Sequence, residues 1–173
     1  VSESLTPDAI AALLLSSAHA LAAEATALGP RARISPTEGE WCANEIIGHL
    51  IEAENRAFNG RIRVILAMSE PDLATWDVPA VAAERDDRTK DTSALLEDLA
   101  DLRADSLALV RGLTDADLTR RGVHPRVGPL SVGELLHEWV HHDREHLAQL
   151  LDVSRAFAWA GMGAARRFTA PDA

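Results

Sequence analysis

The stretch Leu135–Leu150, L-L-H-E-W-V-H-H-D-R-E-H-L-A-Q-L, decides how this chain folds and where its chemistry sits. Its apolar residues recur at helical spacing. Just before it, Ser131-Val132-Gly133-Glu134 matches a capping box, Ser at the N-cap and Glu three positions on. The spacing therefore predicts a helix over 132–152. Four of the chain's seven histidines lie in it, as two overlapping His-x-x-x-His pairs, His137/His141 and His142/His146. Residues four apart share a helix face, so either pair can offer two imidazoles to one ion.

A wheel at about 100° per residue separates the pairs. Leu135, Trp139, Leu150 and Val153 share one arc, which Leu136, Val140 and Leu147 widen. His142 and His146 fall on that core side, as does Asp143. His137 and His141 fall opposite, beside Arg144 and Ala148, facing solvent or a partner subunit.

The rest of the chain reads as helices around this one. Thr6-Pro7 is a cap followed by Pro at the first helical position, and Gly29-Pro30 is a stop. Between them Ile10, Leu13, Leu14, Leu21 and Leu28 form a stripe over 7–28, with His19 on the surface side. A second helix, 43–69, carries Ile46, Ile47, Leu50, Ile51, Ala57, Phe58, Val64, Ile65 and Met68 inward, with His49 on the flank of that arc. Glu54 and Arg61 fall inside the arc two turns apart and are expected to pair, because an unpaired buried charge is costly. A long polar connection, 71–90, reads as a binding lid or a mobile loop. A third helix, 93–112, shows Leu95, Leu99, Leu102, Leu109 and Leu113. Thr114–Asp117 caps a short helical turn, and 122–130 reads as an irregular crossing. Phe157, Trp159 and Met162 form a C-terminal appendage, and 166–173 a frayed tail. The expected fold is all-α: one four-helix-bundle domain with a short extra helical turn and a C-terminal appendage.

Composition narrows the function. The net charge of −10 argues against a generic nucleic-acid binder. Single Cys42 excludes an intramolecular disulfide and Cys-rich zinc modules. Ser16, Ser17, His19 and Glu24 interrupt the first apolar region, so the expectation is a cytoplasmic protein without a membrane span. Two Glu-x-x-His pairs, Glu134/His137 and Glu138/His141, resemble a di-iron element. That site needs one copy on each of two helices, and both copies here lie on one helix and point outward. No His-Glu-x-x-His, nucleophile elbow or phosphate-binding loop is present.

Two readings of the inward histidines remain open at this point. They can be neutral core side chains with hydrogen-bond partners. Alternatively His142 and His146, joined by His49 from the second helix, make a three-imidazole metal site with an open position, the catalytic pattern for such ions. Asp143 can then support a ligand ring or bond to backbone or Arg61. Glu52, Glu54 and Asp143 are the candidate general bases.

Three segments carry a family resemblance: W-C-A-N-E-I-I-G-H-L (Trp41–Leu50), G-V-H-P-R-V-G-P-L-S-V-G-E-L-L (Gly122–Leu136) and W-V-H-H-D-R-E-H-L-A-Q-L (Trp139–Leu150). Together they resemble the DinB/YfiT-like superfamily of metalloenzymes. The resemblance implies a four-helix bundle, often a homodimer, with a divalent metal such as zinc or nickel on His49, His142 and His146. It further implies a small-molecule substrate and kinship with thiol-dependent S-transferases and mycothiol-dependent maleylpyruvate isomerases. These use a low-molecular-weight thiol as co-substrate. One departure is Cys42, where members often carry a Ser or Thr that caps the second helix. The leading expectation is a metal-dependent thiol S-transferase; the alternatives are a metal-dependent hydrolase, or a non-catalytic bundle that binds metal or small molecules.

Overall fold

The computed structural model describes residues 4–169. Helix α1 spans Pro7–Leu28, its N-cap Thr6 accepting a hydrogen bond from the Ala9 N–H, and Gly29 ends it at positive φ. Helices α2 (Ala43–Ala53) and α3 (Asn59–Ala67) are joined by a π-helical turn, Glu54–Phe58. Helix α4 spans Val78–Arg85, α5 Thr92–Arg111 and α6 Asp115–Leu118. A two-stranded antiparallel hairpin follows, β1 (Arg121–His124) and β2 (Gly128–Ser131), and leads directly into α7, Val132–Gly161. The bundle consists of α1, α2–α3, α5 and α7. Helix α1 packs on α5 and α7, and α2 packs on the same two. By length and composition Pro7–Arg33 could cross a membrane. Here its stripe of Ile10, Leu14 and Leu21 is buried in the bundle.

The core divides at the level of the histidines. One cluster joins Ile10, Leu14, Phe58, Ile62, Ile65, Leu135 and Trp139. The other joins Leu21, Ile46, Ile47, Leu50, Leu95, Leu99 and Leu150. Burying one such side chain is worth about 1.5–3 kcal/mol, so the two clusters supply the apolar driving force on either side of the polar centre.

Several expectations need correction. The second helix is not one uninterrupted α-helix over 43–69. The π turn takes an extra residue and sets everything after it back by about 100°. Ile62 is therefore fully buried, whereas Val64 and Met68, expected inside, are 40% and 56% exposed. Gly60, two residues beyond the turn in α3, packs against it, since a Cβ there would meet the Asn55 carbonyl oxygen at 2.1 Å. The 71–90 connection is not a free loop. It contains α4, and its start pairs with β1 through Leu73 N–H to Val123 O and Val123 N–H to Pro71 O, both 2.8 Å. The 122–130 crossing is the β-hairpin, with Gly128 at φ 79° allowing the return. Helix α7 runs nine residues past 152 and absorbs Phe157 and Trp159, while Gly163–Phe168 forms a 3-10 turn in place of the expected fraying. Residues 170–173 of that tail lie outside the described residues.

Candidate metal centre

Each helix that carries His49, His142 or His146 is fixed near its start. Ser131 and Glu134 close the capping box that begins α7, with Ser131 N–H donating to Glu134 Oε2 at 2.7 Å. Cys42 stands at the N-cap of α2, and Glu45 supplies the reciprocal half of the cap there, accepting the Cys42 N–H at 2.8 Å. Arg88 holds Glu45 in turn, at 2.9 Å. Burial pushes the Cys42 thiol up to about 11, which removes it as a nucleophile at neutral pH.

His49 projects from the seventh position of α2, next to Gly48. A Cβ at Gly48 would meet Asp87 Oδ2 at 1.8 Å, so only glycine lets the 87–90 segment sit this close to the histidine. Asn44 Nδ2 donates to the carbonyls of Asp87 and Lys90, and Arg85 spans Asp87 and Glu52. Asn44, Glu45 and Glu52 of α2 thus hold this segment down.

The structure brings His49, His142 and His146 together. One ring nitrogen from each lies within 4.8 Å of the others, and His49 Nε2 is 3.2 Å from His142 Nε2. Nitrogens bound to one tetrahedral ion at about 2.0–2.1 Å sit roughly 3.3–3.4 Å apart. The donor set fits a divalent cation in its chemistry as well. Burial, then repulsion from His146, brings His49 down to about 4. Burial, His146 and His49 bring His142 down to about 3. Both rings are neutral at physiological pH and have lone pairs to give. Gln149 Oε1 accepts His146 Nδ1–H at 2.8 Å, which leaves the His146 Nε2 lone pair available to an ion. All three rings are only partly buried, so one side stays open to a substrate or solvent ligand.

Aromatic rings wall the centre. Trp41 lies 5.1 Å from His49 and 6.3 Å from His146, centroid to centroid. Trp76 stacks on His49 at 5.9 Å. Phe58 meets His142 edge-on at 5.2 Å and stacks on Trp139 at 5.1 Å. Sequence reasoning missed these walls and Gln149. Gln149 stands three residues after His146, a spacing that was visible.

The remaining expectations divide. His137 and His141 are exposed, as the wheel requires: His137 accepts the Leu5 N–H and His141 pairs with Glu145. His19 is exposed too. Glu54 does not pair with Arg61. Both Glu54 and Asp143 bind Arg103 of α5, with Arg103 Nη2 2.9 Å from Glu54 Oε2 and Nη1 2.7 Å from Asp143 Oδ2. The π turn explains the miss, because it carries Arg61 off the face that Glu54 occupies. Asp143 therefore supports no ligand ring. Its Oδ1 and the His142 Nδ1 are both buried without a hydrogen-bond partner. Burial pushes both carboxyls of this cluster up, against the pull of the one guanidinium they share. Glu52 is engaged by Arg56 and Arg85; burial opposes its ionisation, but those two partners win and hold it below the usual range. None of the three candidate bases is free.

The depressed histidines have a consequence for stability. Unfolded histidine titrates near 6.5, so between about pH 6.5 and 4 the unfolded chain binds protons that folded His49 and His142 refuse. Stability of the metal-free protein is therefore fully present above about pH 6.5 and is lost as pH falls, on the order of 3 kcal/mol for each ring by pH 4. Urea midpoints measured from pH 7.5 to 4 check this. The decline should be markedly shallower in a His49→Gln/His142→Gln variant.

A helical bundle with three converging imidazoles defines a metal-binding protein of the bundle type. The chain belongs to the DinB superfamily, whose family model matches residues 10–150. It is 29% identical over 126 residues to "Putative metal-dependent hydrolase YfiT" of Bacillus subtilis, covering 71% of this chain and 69% of that protein. It is 27% identical over 123 residues to "Putative metal-dependent hydrolase OB0782" of Oceanobacillus iheyensis, covering 70% and 69%. The solved structure of Bacillus subtilis YfiT, described as a probable metal-dependent hydrolase with an unusual four-helix bundle topology, superposes with a TM-score of 0.76 at 22% identity. That match covers 92% of this chain and 93% of the other, and it shows the shared fold.

Proposed function

We propose that the chain is a metal-dependent enzyme that activates a small nucleophile at His49, His142 and His146, and that the nucleophile is a low-molecular-weight thiol transferred to an electrophilic carbon. A divalent ion, zinc or nickel, supplies a Lewis acid that lowers the pKa of a bound thiol or water. The observation that carries the thiol reading is the state of the nearby carboxylates. Glu52, Glu54 and Asp143 are each committed to arginine. A thiol held there would release its proton to solvent, so the chain would not have to supply a base. The chain's own contribution is to hold His49 and His142 neutral, to fix His146 through Gln149, and to exclude bulk water with Trp41, Trp76 and Phe58.

A second reading, hydrolysis by activated water, is supported by the names of the two curated relatives. A homodimer acting on a small molecule in the cytoplasm, without nucleic acid or membrane, belongs to the same proposal. It rests on the resemblance and the acidic charge.

The test is a panel of thiols, bacillithiol and mycothiol among them, offered with electrophilic acceptors to zinc- or nickel-loaded protein, beside a panel of esters and amides without thiol. The expected result is thiol consumption that follows metal content and falls at least 100-fold in His142→Ala. Thiol-independent hydrolysis would replace the first reading with the second. A metallated protein inert to both panels would make it a binding bundle.

A further inference from the structure

We infer that Arg61 forms an anion-binding subsite for a carboxylate on the substrate, in the cavity that shares Trp76 with the metal centre. The cavity holds about 300 Å³, and its walls include Arg56, Gly60, Arg61, Asp72, Thr75 and Trp76. That volume suits a small organic acid. The inference takes from the proposed function only that a substrate's reacting end lies at the histidines; the subsite itself stands on Arg61.

Charge is the first argument. The two guanidiniums on this wall differ in their commitments. Arg56 is tied to Glu52 and lies over the Trp76 ring at 5.8 Å. Arg61 makes no salt bridge among the described residues, although it is only partly exposed. Glu138 acts on it through space alone, and Asp72, the carboxylate in the cavity wall, is exposed and not in salt-bridge contact with it. A half-buried guanidinium without a counter-ion is costly, and a bound carboxylate relieves that cost through a charge-assisted, fork-shaped contact.

Hydrogen bonding is the second argument. Arg61 donates through Nη2 to the Ala74 carbonyl at 3.0 Å, while its Nε is buried with no partner. The same Nη2 stands 3.3 Å from His124 Nε2. His124 Nδ1 already accepts the Arg126 N–H. A neutral His124 therefore carries its proton on Nε2, so two N–H donors face each other across that gap. An oxyanion accepts from both at once. The π turn is what places Arg61 here, by rotating it away from Glu54.

Position is the third. The Trp76 indole lines the cavity and also stacks on His49. A ligand anchored at Arg61 passes this ring on its way to the imidazoles, so the substrate class is a small molecule with a carboxylate remote from its reacting group.

The experiment uses benzoate and its neutral isostere benzamide, titrated by calorimetry into the wild-type protein, into Arg61→Gln and into the metal-free His142→Ala. Losing a charge-assisted hydrogen bond costs about 1.5–3 kcal/mol, roughly a 10- to 100-fold change in affinity. Benzoate is expected to bind wild type at least 10-fold more tightly than benzamide, with or without metal, and Arg61→Gln to abolish the difference. Equal binding of the two probes, or a preference that survives in Arg61→Gln, would overturn the subsite. A second readout serves if Arg61→Gln does not fold. The Trp76 indole N–H resonance, assigned by its loss in Trp76→Phe, should move on adding benzoate and not benzamide; movement of other indoles alone would count against the site. Because His142→Ala is included, the subsite can stand when the metal reading fails, and the reverse.

Discussion

Replacing Arg103 by Ala is expected to cost about 3–5 kcal/mol, a large part of the roughly 5–15 kcal/mol that keeps a domain folded. Arg103 is 2% exposed in the middle of α5 and binds three of its neighbours in the bundle. It reaches Leu14 O of α1 at 2.6 Å, Glu54 at the π turn at 2.9 Å and Asp143 of α7 at 2.7 Å. Its guanidinium also lies 5.7 Å from the Trp139 ring centroid. Removing the cation leaves two carboxylates buried side by side, with burial already pushing both toward their protonated forms. Guanidinium-chloride unfolding should show the loss as a lower midpoint. The triple variant Arg103→Met/Glu54→Gln/Asp143→Asn removes every charge and should recover most of it, since a buried ion cluster costs more to break than to replace. A midpoint in Arg103→Ala close to wild type would mean the cluster holds nothing together.

The second large effect concerns the ligands. Zinc supplied at 100 times its dissociation constant stabilises a site present only in the folded state by about 2.7 kcal/mol. For a chain of this size that is a rise of roughly 5–10 °C in Tm. The wild-type protein is expected to show that rise and to lose it on adding chelator. His142→Ala and His49→Ala each remove one of three nitrogens and should show about 1 °C or less, although the apo variants need not be less stable than apo wild type. Each deletion in fact removes a ring that must stay neutral in a confined place. Gln149→Ala should give an intermediate response, because it frees the His146 ring without removing its nitrogen. An equal zinc-induced rise in all four proteins would place the cation elsewhere.

What was legible in the sequence follows from how local the deciding physics is. Thr6, Pro7 and Gly29 fix both ends of α1 within a few residues, and the predicted 7–28 is the observed Pro7–Leu28. His142 and His146 lie in α7, which is helical from Val132 to Gly161, and His49 lies ahead of the π turn. A wheel at constant pitch therefore held for all three rings. It failed at Arg61, Ile62 and Val64, which come after Glu54–Phe58, because a π turn is set by partners on other helices and leaves no periodic trace. Arg103 was hidden by its residue type. It continues the inward row of Leu95, Leu99, Leu107 and Val110, but an arginine is ordinarily read as surface. Glu54 inside an apolar arc signalled a buried cation, and only the tertiary structure identifies which. Trp76 and His124 reach their places through α4 and the β-hairpin, whose short strands, with Pro129 in one of them, read as irregular chain.

The central claim is that three imidazoles from two helices hold one divalent ion. Metal content by inductively coupled plasma mass spectrometry, on protein purified without chelator and reconstituted under identical conditions, tests it most directly. The expected result is about one zinc or nickel per wild-type chain and close to none in His142→Ala. An unchanged ratio in the variant, or none in the wild type after reconstitution, would contradict it.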